Sequence, residues 1–394
     1  SGVSIGSQVM HMITVMIVGL AMGAIVMIAR NVGAGNREKI SGTIGNTIIL
    51  FAFLAVISAC LLLLLVRPIV TVMSTPTEAV DETAAYLRVC FAGIPFIVAY
   101  NLIAAIFRGL GDSKSPMYFI AIACAANIAL DYLFIGGFGM KAVGAAWGTI
   151  IAQAVSVCIS IIAIYKKKLV TISGKDLKVD ITIIKSILKI GVPVALQDGF
   201  IQISFLVITV IANSRGVEIS AAVGIVEKII SFLFLVPSSM LSTISTIASQ
   251  AIGAKNKALA RKTLFYGMTI AVTIGLVFAI SFQFIADPEI SIFTEDKTVV
   301  ELGVSYIKSY VFDCTVASFH FCFSGFFVAS GFSYISFLHN LASIIAIRIP
   351  GAYLASKYYP DTLFPMGMAA PMGGLLQLMI CIIAYLILRR QKKI

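Results

Sequence analysis

Four acidic side chains stand inside apolar stretches of this sequence, Asp131, Asp198, Glu227 and Asp313, and their neighbours decide what each could do. Asp131 follows Asn127 by four residues, so on a helix the two share one face, one turn apart. If the next apolar stretch returns through the same layer, Thr149 lies about six residues below the same surface. At a rise of about 1.5 Å per residue that is close to the depth of Asp131, and Gln153 continues the face. A carboxylate, an amide oxygen and a hydroxyl at one depth can bind a hard cation through oxygen, and the carboxylate can instead carry a proton. The blander reading is that Asp131 and Asn127 hydrogen-bond neighbouring helices as polar glue.

The other three acids are less clearly grouped. Asp198 has Gln197 beside it and Gln202 one turn on, shortly after Pro193, whose missing N–H loosens a helix, so Asp198 and Gln202 read as cavity-lining residues. Glu227 precedes Lys228 and is either a cavity acid or one half of a mutually compensating pair. Asp313 reads as an interior polar residue, with Arg348 on a neighbouring helix as its compensating charge and a mainly structural role. His11, His320 and His339 fall on separate helices without ligand spacing, so no transition-metal site is expected. The seven cysteines all lie inside apolar runs, an odd and scattered set that reads as small core residues rather than a disulfide framework.

These residues need elements that cross a membrane. The chain has 394 residues, 59% of them hydrophobic and only 12% charged, where soluble domains are about a quarter charged. Eleven apolar runs approach or exceed the roughly 20 residues that span a hydrocarbon core. They fall near residues 4 to 28, 41 to 66, 84 to 107, 116 to 135, 143 to 165, 186 to 212, 219 to 248, 261 to 286, 302 to 329, 334 to 357 and 365 to 388. Backbone amides find no water in lipid, and the runs are too long for barrel strands, so each must be a helix. The fold class is an all-α polytopic membrane protein.

The net charge of +11 is distributed as in membrane proteins, whose cytoplasmic loops collect Lys and Arg, and does not suggest nucleic-acid binding. One set of alternate loops and the tail hold twenty of the 29 basic residues, including Arg30, Arg37, Lys39, Arg108, Lys114, Lys166, Lys167, Lys168, Lys255, Lys257, Arg389, Arg390 and Lys393. Glu78, Asp81, Glu82, Asp287, Glu289, Glu295 and Asp296 mark two loops of the opposite set. The sequence therefore predicts a cytoplasmic carboxyl terminus in the inner membrane.

Displacing the sequence by 220 positions aligns its first part with its last: Gly33, Ala34 and Asn36 meet Gly253, Ala254 and Asn256, Pro68 meets Pro288, and Gly111 and Ser113 meet Gly331 and Ser333. One period holds six helices, an even number, so the copies enter the membrane in the same sense, about an axis along its normal. The expected organisation is an N-terminal lobe over 1–168, a lysine-rich cytoplasmic linker over 169–185 and a C-terminal lobe over 186–394. These are two pseudo-symmetric six-helix lobes, with eleven of twelve helices present and the partner of the 186–212 helix lying before residue 1.

The run Arg108-Gly-Leu-Gly-Asp-Ser-Lys-Ser-Pro116, followed by Asn127 to Met140 and Gly144 to Gln153, resembles the first-lobe signature of the multidrug and toxic compound extrusion family. Gly33-Ala-Gly-Asn and Gly253-Ala-Lys-Asn resemble its paired cytoplasmic turns, so the similarity spans essentially the whole chain. That resemblance implies export of organic cations and drugs in exchange for sodium ions or protons, by one lobe rocking against the other. It implies a first-lobe cation site at Asn127, Asp131 and Thr149. The family's fourth partner, an Asp on its first helix, has no counterpart in the chain. The acid that some members carry on the tenth helix is also absent, with Phe319 near that position.

Two other functions compete with this one. A flippase for lipid-linked oligosaccharide or peptidoglycan precursors would share the two-lobe plan, but its cavities tend to be strongly cationic. Here acids outnumber intramembrane cations, which favours a cationic cargo. No His-Glu-x-x-His, Gly-x-Ser-x-Gly or Gly-x-x-x-x-Gly-Lys motif supports an enzyme or ATP use. The expected partners are small organic cations and the bilayer, with no nucleic acid, and the expected working form is a monomer. No cofactor is expected beyond Na+ or H+ as coupling ion.

Overall fold

The computed structural model describes residues 2–72, 79–167, 174–392 and 394, with the side chains of residues 2–5, 72 and 167 outside that description. Glu78, Lys168 and Lys393 of the charge pattern and residues 169–173 of the expected linker also lie outside the described residues.

Each apolar run forms helix. In chain order these are α1 (Gly2–Gly33), α2 (Arg37–Leu64), α3 (Val66–Val72), α4 (Val80–Ala92), α5 (Ile94–Gly109), α6 (Lys114–Asp131), α7 (Lys141–Lys167) and α8 (Ile181–Asn213). They continue as α9 (Val217–Leu233), α10 (Leu235–Gly253), α11 (Lys257–Ser291), α12 (Lys297–Tyr310), α13 (Phe312–Ser330), α14 (Ser333–Ser343), α15 (Ile349–Tyr358) and α16 (Phe364–Arg390). π-Helical turns over Tyr132–Gly137 and Ile344–Arg348 extend α6 and join α14 to α15. Among the described residues ten helical spans are long and apolar enough to cross a membrane, and α4 with α5 makes an eleventh if the pair, bent by 47°, is one span. The bend has two local causes. Pro95 in the first turn of α5 supplies no N–H, and Ile150 of α7 packs so tightly on Gly93 that a Cβ there would overlap it.

The repeat in the sequence becomes a repeat of hydrogen bonds. In the turn between α1 and α2, Ala34 N donates to Arg30 O (2.9 Å), Gly35 N to Val32 O (3.0 Å) and Asn36 N to Asn31 O (3.2 Å). Between α10 and α11 the same three bonds recur, Ala254 N to Gln250 O (2.9 Å), Lys255 N to Ile252 O (3.0 Å) and Asn256 N to Ala251 O (2.9 Å). Asn36 and Asn256 then cap the following helices, accepting from Lys39 N and Leu259 N, both at 2.9 Å. The turns after α5 and α13 match as well, Gly111 and Gly331 having φ of 91° and 87°, a left-handed conformation that glycine adopts without penalty.

Two compact units divide the chain, Ser1–Ala195 and Leu196–Ile394. The division falls inside α8, some way past the linker expected at 169–185, for reasons visible in the packing. A Cβ on Gly23 of α1 would overlap Ile187 O, and one on Gly191 would overlap Leu20 O, so the backbones of α1 and the first half of α8 touch. Ahead of them, Asn46 of α2 donates to Lys178 O (3.2 Å) and accepts from Asp180 N (2.7 Å), which fastens the described end of the linker to the first unit. Asp180 in turn caps α8 by accepting from Thr182 N at 2.8 Å.

In the second unit, one apolar cluster joins α8, α9, α11 and α12 to α13, α15 and α16 around Ile230, Tyr306, Tyr310 and Met366. Another joins α10, α11, α13 and α16 around Leu264, Phe326 and Phe327. Lys257 Nζ donates to Lys392 O (2.9 Å), so the tail and the Gly253–Asn256 turn share one end of this unit. Large apolar side chains such as Phe53, Leu64, Tyr165, Phe232 and Phe284 face outward, as expected where lipid rather than water is the surrounding medium. The cysteines do not all serve the core. Cys90, Cys314, Cys322 and Cys381 are buried, but Cys60, Cys124 and Cys158 are exposed on helix surfaces. An apolar run in lipid has two apolar faces, so membership of the run did not assign a side chain to the interior.

Because only backbone stands opposite Gly23, the Gly23→Val variant should lose about 1–3 kcal/mol of stability through overpacking. Gly42→Ala, at a helix position with nothing within 4 Å, should be neutral or slightly stabilising. Thermal melting of the two variants in detergent checks the contrast.

Candidate coupling site

The packing of α6 against α7 sets the geometry around Asp131. Gly148 on α7 is the contact point: a Cβ there would overlap Asp131 Oδ1 and come within 3.5 Å of Asn127 Nδ2. The carboxylate and the amide therefore converge on the same spot of the neighbouring helix, one turn apart on α6. Thr149 follows Gly148 directly, which puts it at the depth of Asp131. Asp131 Oδ1, Asn127 Nδ2 and, one turn along α7, Gln153 Oε1 are buried without hydrogen-bond partners. Buried polar atoms are normally paired, so orphaned donors and acceptors at one place mark a site where something else supplies the partner.

Thr149 contributes through position more than through a free hydroxyl, since its Oγ1 donates to Ala145 O at 3.0 Å. The oxygen keeps its lone pairs for a cation or a proton donor. With Gln153, Thr149 borders a cavity of about 270 Å³ whose walls come from α1, α4, α5 and α7. His11, Tyr86, Tyr100 and Asn101 line it as well. Tyr86 lies within electrostatic reach of Asp131, so the acid sits beside the cavity and Thr149 borders it. Tyr86 and His11 carried no sequence signal: they lie on other helices and follow no spacing shared with Asp131.

The second-unit candidates are not brought together. Asp198 and Gln202 are half-buried on α8. Glu227 of α9 accepts from Thr209 Oγ1 at 3.2 Å, seven residues beyond Gln202 and so about 10 Å further along α8. Lys228 is exposed and makes no ion pair with Glu227 among the described residues. Consecutive helix positions point about 100° apart, which is why these neighbours in sequence do not meet.

Asp313 and Arg348 are neighbours without a direct ion pair among the described residues. Arg348 instead donates to Tyr310 Oη at 2.5 Å and lies 4.7 Å from the ring centre of Phe205. His320 and His339, far apart in sequence, have ring centres 5.9 Å apart. No group of three or more His, Cys, Asp or Glu that could hold a metal occurs among the described residues.

The family model described as MatE matches residues 1–133 and 193–354, well over half of the chain. The "Probable multidrug resistance protein YoeA" of Bacillus subtilis is 24% identical over 86% of this chain and 75% of its own length. The "Probable multidrug resistance protein NorM" of Thermotoga maritima is 27% identical, over 91% and 78%. Among solved structures, one described as MATE in the straight conformation superposes with a TM-score of 0.90 at 23% identity, covering 99% of this chain and 87% of that one. An outward-facing multidrug resistance MATE family transporter gives 0.91 at 23% identity and the same coverage.

The Gly148→Ala variant tests the geometry. Alanine favours the helix by about 0.5–1 kcal/mol, so folding should be kept while the new methyl displaces the Asp131 carboxylate. Trp147, the one tryptophan in the sequence, adjoins the site. The change in its fluorescence on adding sodium or lowering pH should shift to at least about tenfold higher ion concentration in the variant, ~1.4 kcal/mol.

Proposed function

Because this chain belongs to the MatE family of multidrug efflux transporters, we propose that it exports small organic cations across the cytoplasmic membrane in exchange for sodium ions or protons. Asp131, Asn127 and Thr149 form the coupling site of the first unit. The observation that carries the reading is the convergence of two orphaned polar atoms, Asp131 Oδ1 and Asn127 Nδ2, on Gly148 beside the cavity that Thr149 and Gln153 line.

An acid inside a span is costly and is by default functional. At Asp131 the negative charge has no basic partner among the described residues, and a sodium ion or a proton would neutralise it. Occupation of the site and of a cationic substrate position then compete for the same charge, which is the physical content of exchange. Asp198 and Gln202 supply further polar surface in the second unit, and Glu227 an acid nearer its far end. The carboxyl terminus faces the cytoplasm in this proposal, a reading supported by the basic turn at Gly253–Asn256 lying at the same end of the second unit as the basic tail.

Dye efflux from vesicles reconstituted with the protein tests the proposal, with sodium and pH gradients imposed separately. One gradient should drive export of a cationic dye. The Asp131→Asn variant should lose that drive by at least about a hundredfold, ~2.7 kcal/mol, while melting at the wild-type temperature. Equal efflux by the variant would reject the assignment of Asp131.

A further inference from the structure

The repeat also shows where the two units differ. At the offset of 220 residues Gly35 is matched by Lys255, Ser41 by Arg261 and Gly42 by Lys262, while the acids Glu38 and Asp112 are matched by Ala258 and Phe332. The turns of the first unit thus mix acids with bases, and the equivalent turns of the second have lost the acids and gained bases. Gly35 has φ of 66° and Lys255 keeps the same left-handed turn at 58°, a conformation that glycine adopts freely and a lysine does not. No Asp or Glu occurs between Glu227 and Asp287 or after Asp361.

The bases of α11 and those of α16 converge. Leu264 of α11 and Leu388 of α16 belong to one buried cluster, and Lys257 Nζ reaches Lys392 O at 2.9 Å. Residues 389–392, with Arg389, Arg390 and Lys392, therefore stand beside the start of α11. Of these bases Arg261 is half-buried and the others are exposed, and none makes an ion pair among the described residues.

Below the charges the same two helices turn apolar. α11 has 35 residues, about 52 Å of helix, against a hydrocarbon core of about 30 Å, so its charged ends stand at the level of lipid headgroups. Phe265 follows Arg261 by four residues and Tyr266 follows Lys262 by four, which gives each base an exposed ring one turn deeper on the same face. On α16 the exposed Leu386 and Ile382 stand one and two turns below Arg390.

In the first unit the equivalent face is covered. Phe265 and Tyr266 correspond to Gly45 and Asn46 of α2, and there the chain itself lies across the helix. A Cβ on Gly45 would overlap Asp176 O, and Asn46 bonds to Lys178 and Asp180. On α11, by contrast, Phe265 is 53% and Tyr266 68% exposed. The occupant that fits this face is acidic at the level of the bases and apolar one turn below, which is the order of groups in an anionic phospholipid. A soluble phosphate or a nucleic acid would use the bases alone.

We propose that this face of α11 and α16 is a binding site for an anionic phospholipid. Its phosphate lies among Lys257, Arg261, Lys262 and Arg390, and its glycerol and acyl chains run over Phe265, Tyr266 and Leu386. Clusters of Lys and Arg at the end of a spanning helix attract such headgroups. The orientation proposed above assigns the lipid to the cytoplasmic leaflet, and the binding itself depends neither on that orientation nor on ion-coupled transport.

Fluorescence of the full chain in phosphatidylcholine vesicles tests the site. A Tyr266→Trp reporter in a Trp147→Phe background puts an indole on the face, and lipids brominated in their acyl chains quench it on contact. Brominated phosphatidylglycerol should quench at a mole fraction at least about tenfold below that of brominated phosphatidylcholine. The preference should fall below about twofold when Lys257→Gln, Arg261→Gln, Lys262→Gln and Arg390→Gln are combined. A Phe284→Trp reporter, at the acidic opposite end of α11, should show no preference. Equal quenching by the two lipids at position 266, a reading that needs no charge variant to fold, overturns the site. So does a preference as large at position 284, or one kept by the folded neutral variant. Short single-stranded DNA on both sides of the vesicle, at equal phosphate, should leave the quenching in place, and its displacing the lipid overturns a lipid occupant. No efflux is read, so a failed transport assay would count against the transport reading alone.

Discussion

Close approach of helix backbones at glycine is the interaction on which the rest of this structure depends. In lipid no hydrophobic force draws helices together, so association relies on packing and on whatever hydrogen bonds the contact permits. Gly23 and Gly191 let α1 and the first half of α8 touch backbone to backbone, and Gly93 admits Ile150 at the bend between α4 and α5. At Gly148 and Gly374 the same lack of a side chain has a second use. Each leaves space on one helix for a carboxyl from another, Asp131 in the first unit and Asp313 in the second. A methyl group at either place would push the acid out of position.

The two units use this device at different points of their shared plan. The repeat offset of 220 residues sets Gly93 opposite Asp313, not Asp131. Where the second unit has an acid just after the break between α12 and α13, the first has a glycine just before α5, filled by an isoleucine. The turns at Asn36 and Asn256 have stayed alike bond for bond. Turns answer to the local backbone, so their geometry repeats with the sequence, while interior polar groups answer to whatever each unit buries.

Much of the fold was legible in the residues. Eleven apolar runs predict eleven helical spans, and among the described residues ten helices of sufficient length and one bent pair answer to them, because an apolar run in lipid has helix as its only way to satisfy its amides. The pairing of Asn127 with Asp131 was legible too, as a consequence of helical period, and Thr149 followed from a depth argument across one short turn. Less was legible beyond one helix and its sequence neighbour. Glu227 stands beside Lys228 in sequence, yet its hydrogen bond goes to Thr209 on another helix. The three histidines share no spacing, yet His320 and His339 meet. Cys60, Cys124 and Cys158 lie inside apolar runs that suggest the core, yet they face outward.

By itself the sequence determined the apolar surroundings, the element type, the placing of the apolar helices, the repeated turns and the shared helical face of Asn127 and Asp131. These follow from hydropathy, from the obligation to pair backbone amides and from a period of 3.6 residues, all of which act over a few turns of chain. The tertiary structure alone decided which face of each helix is interior and which distant polar groups share a cavity. It also decided that α8 belongs in part to each compact unit. Those outcomes depend on helix rotation about the long axis, and in a chain apolar on every face of its helices the pattern of residues leaves that rotation to the packing of small side chains.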